Sequence, residues 1–332
     1  MRISVILCTY NRCLYLRKVL GSIAASVLPE SVEWEVLVID NNSSDQTPEV
    51  ATDFVVRYPG RFRYIFEPRQ GKSLALNTGI RESRGDILAF VDDDLTVEPT
   101  WLWHLTKSLQ NGEWAGTGGR TLLAEPFSPP RWLALAGPHS LGGVLAALFD
   151  LGDIPRELDK APYGANMAYR KEMFGKYGLF RIDMGPSADR SIPRPNEDTE
   201  FGRRLMAAGE RLRYEPSAIV YHPVTANRIQ KEYFLTWWFD YGRASVREIE
   251  RRPDILGIQR RYWSIAKIAG VVLPVRVLKW MLPPSPSKRF FCRCFVWMTA
   301  GQIAEIYCRW GPVKAQDTFA AEEMHVACKG KL

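Results

Sequence analysis

The segment Ile87-Leu88-Ala89-Phe90-Val91-Asp92-Asp93-Asp94 runs five apolar residues directly into three carboxylates. A short, unbroken apolar run reads as a strand buried on both faces, the pattern of parallel sheet. Three adjacent negative charges at its end repel one another and favour a compensating cation. A hard divalent ion with oxygen ligands, Mg²⁺ or Mn²⁺, meets that need and bridges to phosphate oxygens. Alternation along an extended chain predicts Asp92 and Asp94 on one side and Asp93 on the other. An Asp-rich turn without an ion is the alternative.

Working outward, similar apolar runs occur at Ile3 to Cys8, Glu35 to Ile39 and Phe62 to Phe66, with the strand above spanning Asp86 to Val91. Between the first two, Arg12 to Ala25 carries Leu14, Val19, Leu20 and Ile23 at roughly helical spacing. Leu74 to Ser83, entered through Gly71, reads as another helix. Strands alternating with helices predict an α/β chain with a mainly parallel central sheet flanked by helices. Ligands of such sheets gather beyond the carboxyl ends of the strands. Those exits read Thr9-Tyr10-Asn11-Arg12, Asp40-Asn41-Asn42-Ser43-Ser44-Asp45, Glu67-Pro68-Arg69-Gln70-Gly71-Lys72 and Asp92-Asp93-Asp94. Solvated loops explain one polar exit more readily than four. The region Gly112 to Met184 is rich in Gly and Pro, and loops with short elements shaping a second pocket are expected there.

The 332 residues are 46% hydrophobic and 24% charged, which excludes a mainly disordered chain. Residues 1–228 hold 27 basic and 28 acidic groups, whereas residues 229–332 hold 17 and 9, so the excess positive charge belongs to the tail. The apolar run after Met1 is too short for a secretory leader, which places the expected catalytic part in the cytosol. The six cysteines, Cys8, Cys13, Cys292, Cys294, Cys308 and Cys328, have neither CxxC pairing nor zinc-finger spacing to histidine.

In order and spacing, Thr9-Tyr10-Asn11-Arg12, Val38-Ile39-Asp40-Asn41-Asn42-Ser43-Ser44-Asp45, Gly71-Lys72-Ser73-Leu74-Ala75-Leu76-Asn77-Thr78-Gly79 and Phe90-Val91-Asp92-Asp93-Asp94 resemble the family-two glycosyltransferases of the GT-A fold. The resemblance covers about residues 1–228, taken as the catalytic domain, with 229–332 as a helical extension. It implies a nucleoside diphosphate sugar donor, most commonly a UDP-sugar, and an acceptor hydroxyl; the tail points to a saccharide or lipid-linked saccharide of the cell envelope as the acceptor class.

Carried over by position, Thr9, Tyr10 and Arg12 would line the base pocket, Asp40 would bond the base, Asp45 would lie near it, and Lys72 would approach base or phosphates. Asp40 and Asp45 could equally be turn or helix-capping residues. Asp94 would ligate the metal. Asp92 would bind the ribose or the metal through water, with Asp93 beside them. Gly164-Ala165-Asn166 looks like the donor-sugar and acceptor segment, and Asn196-Glu197-Asp198-Thr199-Glu200-Phe201-Gly202 opens a helix at the place of the catalytic base. Inverting displacement needs one carboxylate to take the acceptor's proton. Asp198 is the choice, Glu197 the alternative, and Glu200 the surface residue. His222, after Ala218-Ile219-Val220-Tyr221, would complete the metal shell, which favours Mn²⁺, or touch the diphosphate, or it would be structural. A nucleotidyltransferase would leave Glu197 and Asp198 without a duty, and no GxGxxG follows the first strand to suggest an oxidoreductase.

The tail begins with Tyr233 to Tyr241, YFLTWWFDY, followed by apolar stretches Tyr262 to Leu282 and Phe290 to Trp310 around Pro283-Pro284-Ser285-Pro286. Lys267, Pro274, Arg276 and Lys279 interrupt the first, and Arg293, Glu305 and Arg309 the second, so both are poor membrane spans. Helices lying on the cytoplasmic face of a membrane are expected, with Trp237, Trp238, Trp263, Trp280, Trp297 and Trp310 as interfacial aromatics. A packed helical subdomain or dimer interface is the alternative. No motif for nucleic acid is present.

Overall fold

The computed structural model describes residues 1–249, 260–282 and 285–309. Its first half is three βα units. Strand β1 (Arg2–Thr9) pairs in parallel with β2 (Glu33–Asp40) and with β4 (Ile87–Val91), and β2 with β3 (Phe62–Phe66). Helices α1 (Cys13–Ala24), α2 (Thr47–Arg57) and α3 (Lys72–Glu82) make the crossovers. The period-two alternation of β1 sends Ile3, Val5 and Leu7 into one core with α1, and Ile6 into the opposite core with Ala75, Leu76 and Ile80 of α3. Both faces are covered, which is why β4 is apolar without interruption and β1 is apolar from Val5 to Leu7, with the buried Ser4 satisfied by a hydrogen bond to Glu35. On α1 the buried positions are Leu16, Val19, Leu20 and Ile23, while Leu14, expected in that stripe, is 75% exposed. The i, i+3, i+4, i+7 set that faces the sheet starts at Leu16, and Leu14 falls off it.

Beyond β4 the sheet turns mixed. Strand β5 (Thr96–Val97), helix α4 (Trp101–Thr106), strand β6 (Gly116–Leu123), helix α5 (Gly142–Ala146), strands β7 (Arg156–Glu157) and β8 (Asn166–Arg170), helices α6 (Glu172–Tyr177) and α7 (Glu197–Ala207) and strand β9 (Leu212–His222) follow. The order is β3-β2-β1-β4-β8-β6-β9-β5, with β7 beside β9. The segment expected to hold loops thus supplies β6 and β8, two interior strands, and β8 runs antiparallel to β4. Strand β6 reads Gly-Thr-Gly-Gly because neighbours fill its side-chain space. A Cβ at Gly116 would stand 2.6 Å from a Tyr169 ring carbon, and one at Gly119 2.5 Å from Asn166 Oδ1.

The tail forms α8 (Lys231–Arg247), α9 (Arg260–Lys267), a π-helical turn (Ile268–Val272), α10 (Leu273–Met281) and α11 (Pro286–Arg309). Helices α8 and α11 cross with backbones in contact: a Cβ at Gly242 would meet the Met298 carbonyl, and one at Gly301 the Phe239 carbonyl. Phe234, Phe290 and Cys294 share a core with Leu133, Leu141 and Leu145. Of the tryptophans expected at a membrane surface, Trp237, Trp238, Trp280 and Trp297 are half-buried. Trp238 packs on Phe291 and Phe295, Trp297 joins the same cluster, and Trp280 lies under Arg293. Trp310, Pro283, Pro284, His325, Cys328 and the side chain of Trp263 lie outside the described residues. No helix among the described residues is long and apolar enough to cross a membrane.

Candidate functional site

The strand exits converge because buried polar side chains tie their loops together. Asn41, immediately after β2, donates to the carbonyls of Glu67 (3.3 Å) and Arg69 (2.7 Å) and accepts the Gly71 N–H (2.8 Å). Asn11, in the left-handed region at φ 52°, accepts the Ser44 N–H (2.7 Å) and donates its own N–H to Ser43 Oγ (2.9 Å). Gly71 then lets the chain enter α3 with Lys72 pointing at the end of β4. The resulting cleft of about 1670 Å³ is lined by Thr9, Tyr10, Arg12, Lys72, Asp92, Asp93, Asp94, Ala165, Glu197 and Asp198, along with residues of the middle region and of α8.

The three aspartates have three environments. Asp92 receives Lys72 Nζ at 2.7 Å, and the same ammonium stands 3.4 Å from Glu197. Burial opposes a charge on Lys72, but Asp92, Glu197 and Asp198 together hold its pKa well above the ordinary lysine value. Asp93 and Asp94 accept from one nitrogen of Arg12, at 2.8 and 2.9 Å. Burial pushes Asp93 up to about 6 against the pull of Arg12. The expected alternation therefore fails for Asp93 and Asp94: β4 ends at Val91, so strand geometry no longer governs where they point. Asp94 also accepts from Arg228 at 3.1 Å, and its Oδ1 faces His222 Nε2 at 3.4 Å.

His222 closes β9 and is 2% exposed. Its Nδ1 lies 2.8 Å from the Pro223 carbonyl oxygen, which can only accept, so Nδ1 carries the hydrogen and Nε2 presents a lone pair towards Asp94. Burial lowers the His222 pKa and favours this neutral ring, although Asp94 acts the other way. A lone pair and a carboxylate oxygen facing each other fit a divalent cation, with the carbonyl fixing the ring as an outer-shell partner. Asp92, held by Lys72, is not part of that pair.

Asp198, at the start of α7, is anchored by a hydrogen bond from the Gly164 N–H at 2.5 Å, and it also accepts from the Thr199 N–H. Gly164 is needed for this approach, since a Cβ there would stand 2.9 Å from Asp198 Oδ2 and 3.1 Å from its Cβ. Gly164→Ala is expected to cost about 1–3 kcal/mol of stability and to displace the carboxylate. Thermal melts with a transfer assay check this, and a variant with wild-type rate would show the contact to be idle. Glu200 turns away to Arg204 at 2.8 Å.

Burial pushes Glu197 up to about 7 from an ordinary 4.5, with Asp198 adding to the rise and Lys72 opposing it. The folded protein therefore binds more protons at Glu197 than the unfolded chain between those values, so stability falls as pH rises through that window. Glu197→Gln removes this dependence. Its melting temperature is expected to match wild type near pH 4.5 and to exceed it near pH 8, by the equivalent of about 3 kcal/mol. Melts of both proteins across this range check it, and a pH-independent difference would contradict it.

Several residues that the sequence places in the site serve the scaffold. Buried Asp40 accepts the Ser43 N–H (2.9 Å) and the Tyr64 hydroxyl (2.8 Å). Asp45 caps two helices, accepting the N–H groups of Cys13 and Thr47, both at 3.0 Å. Burial raises its pKa, but these hydrogen bonds outweigh it and hold the carboxyl below its ordinary value. Neither lines the cleft. Asn166 accepts the Trp101 indole N–H and donates to the carbonyls of Arg120 and Ala218, holding strands together behind Ala165. Conversely, Asn41, Arg228, Trp237, Trp238 and Tyr241 line the cleft without having been assigned to it. Only the aromatic density of YFLTWWFDY could have pointed to the last three.

A family model described as Glycosyl transferase family 2 matches residues 4–178. The chain is 28% identical over 271 residues to the succinoglycan biosynthesis protein ExoM of Rhizobium meliloti, covering 81% of each chain. It is 24% identical over 252 residues to a glucosyl-dolichyl phosphate glucuronosyltransferase of Haloferax volcanii, covering 73% of this chain and 76% of that one. Among solved structures, mannosyltransferase PcManGT from Pyrobaculum calidifontis in complex with GDP-Man and Mn²⁺ shares the fold, with a TM-score of 0.52 at 16% identity over 99% of this chain and 81% of that one.

Proposed function

The chain belongs to glycosyl transferase family 2, has the GT-A fold and is a glycosyltransferase, and on that premise we propose that it transfers a sugar from a nucleoside diphosphate sugar to an acceptor hydroxyl by single displacement with inversion. The observation that carries this reading is a carboxylate, Asp198, held by the Gly164 N–H in the same cleft as the Asp92–Asp94 cluster. Asp198 takes the acceptor's proton, and Glu197, which keeps its own proton to about pH 7, shapes the charge around Lys72. Asp94 and His222 would hold Mn²⁺ or Mg²⁺, which when bound neutralises charge developing on the leaving diphosphate. The Mn²⁺ and GDP-Man of PcManGT support both a divalent ion and a nucleotide-sugar donor. Calorimetric titration with UDP, GDP and dTDP, with and without Mn²⁺, tests the donor half. One nucleotide should bind in a metal-dependent way, and Asp94→Ala should lose it. No binding of any of them to folded protein would remove the reading.

For the acceptor we propose a saccharide, free or lipid-linked, in envelope polysaccharide or glycolipid synthesis at the cytoplasmic face of a membrane. Two relatives, one named for succinoglycan and one for a dolichyl phosphate substrate, support it. The tail supports the membrane part: Val271, Val275, Leu278 and Leu282 form an exposed apolar stripe along the π-turn and α10. Between Ile255 and Ala304 there are eight Lys and Arg and no acidic residue. An apolar stripe in a wholly cationic segment suits an anionic lipid surface. Co-flotation with vesicles containing phosphatidylglycerol, lost in a Val275→Glu, Leu278→Glu double variant, is the expected result. Equal recovery of both proteins would assign the stripe to another partner.

A further inference from the structure

Arg228 stands where a cation is wanted. It sits on a 3₁₀ turn (Ala226–Ile229) between β9 and α8, and its guanidinium makes a two-pronged contact. One nitrogen donates to His222 Nε2 at 3.1 Å and to the Leu145 carbonyl at 3.2 Å, and the other donates to Asp94 Oδ2 at 3.1 Å. Arginine has no acceptor, so the contact to His222 is possible only through the Nε2 lone pair, in agreement with the Nδ1–H to Pro223 bond. Without a positive group between them, that lone pair and Asp94 Oδ1, 3.4 Å apart, would repel across a nearly dry gap. The fork of Arg228 therefore does electrostatically what a divalent ion bound to the same two side chains would do.

Nε2 has one lone pair, which cannot serve a guanidinium and a metal ion together. The two cations therefore compete for His222, while Arg12 reaches Asp94 and Asp93 from the exit of β1 without touching His222. Arg228 is also one of the residues lining the cleft, with a side chain 20% exposed, so the guanidinium has solvent and ligand space on its free side.

We propose that Arg228 is a placeholder cation that occupies the Asp94–His222 pair in the nucleotide-free protein and yields it when metal and nucleoside diphosphate bind, its guanidinium then serving the diphosphate oxygens. The proposal rests on the glycosyltransferase reading for the identity of the anion. It has two thermodynamic consequences. Competition weakens metal binding to the free protein, and displacing Arg228 onto the diphosphate makes metal and nucleotide bind cooperatively. Arg228 is in this sense a positioning residue whose effect is read in binding.

The test is Mn²⁺ binding to the full chain, followed by electron paramagnetic resonance of the free ion, with and without the nucleoside diphosphate selected by titration. Arg228→Met is expected to bind Mn²⁺ about five- to tenfold more tightly than wild type without nucleotide, and to lose most of the tightening that nucleotide brings to wild type. His222→Ala should bind Mn²⁺ more weakly than wild type, which identifies the site. Arg228→Lys, whose single ammonium cannot span both side chains, should fall between Arg228→Met and wild type. Unchanged or weaker Mn²⁺ binding in folded Arg228→Met, or no binding by it at millimolar Mn²⁺, would overturn the proposal. If wild type binds no nucleoside diphosphate at all, the donor reading fails, while the nucleotide-free Mn²⁺ comparison still decides whether Arg228 competes for the site.

Discussion

Asp198→Asn is expected to lower the rate of sugar transfer by about 10²–10⁴-fold, the usual worth of a positioned general base. The amide keeps the size of the side chain but has no basic oxygen. One of its two ends must also present N–H groups to a backbone donor, because Gly164 and Thr199 each donate a hydrogen bond to the carboxylate. A modest loss of stability accompanies the loss of rate. Nucleoside diphosphate affinity is the control that separates them, because Thr9, Arg12 and Asp92, which we propose for the nucleotide, come from other elements and are untouched. Calorimetry with the preferred nucleotide and Mn²⁺ should give nearly the wild-type value while transfer collapses. Retained transfer would move the base to Glu197, and Glu197→Gln, lacking the Gly164 anchor, provides the comparison.

Lys72→Met is expected to lower stability. Its ammonium is shared by Asp92 at 2.7 Å and Glu197 at 3.4 Å, with Asp198 adding to the field. Both side chains of the Lys72–Asp92 pair are about one-quarter exposed to the cleft, so removing the ammonium leaves a partly solvated carboxylate and is expected to cost about 1–3 kcal/mol. For a domain of this size that corresponds to a fall in melting temperature of roughly 5 °C. Glu197 can relieve part of the cost by taking a proton, since burial already brings it to about 7. The loss should therefore be smaller near pH 5 than near pH 8. Adding Glu197→Gln to Lys72→Met should recover part of the stability, with a coupling of about 0.5–3 kcal/mol between the two changes. Additive single effects, or a melting temperature within a degree of wild type, would show that Lys72 does not hold the carboxylates together.

The legible parts of the fold share one property. Strands β1, β2 and β4 are buried on both faces by helices, so nearly every residue must be apolar, and the run is visible without knowing its neighbours. Strands β6 and β8 were not legible. Gly116 and Gly119 carry no side chain because Tyr169 and Asn166 of β8 cross above them, and that requirement exists only once the two strands are adjacent. Leu14 shows the same limit on a smaller scale: its apolarity is plain in the sequence, but the direction of α1's buried face is set by the sheet beneath it.

The site divides likewise. By itself the sequence determined that carboxylates stand at the end of a buried strand and that a second acidic pair opens a later helix, because charge and hydropathy are local properties of the chain. Which cation meets each carboxylate was decided by the tertiary structure alone. Lys72 for Asp92, Arg12 for Asp93 and Asp94, and Arg228 with His222 for Asp94 are contacts between segments separated by 6 to 134 positions. Loop closure by Asn41 and Asn11 and the crossing of β9 bring them together, and an electrostatic partner is chosen by distance in space, on which spacing in the chain places no constraint.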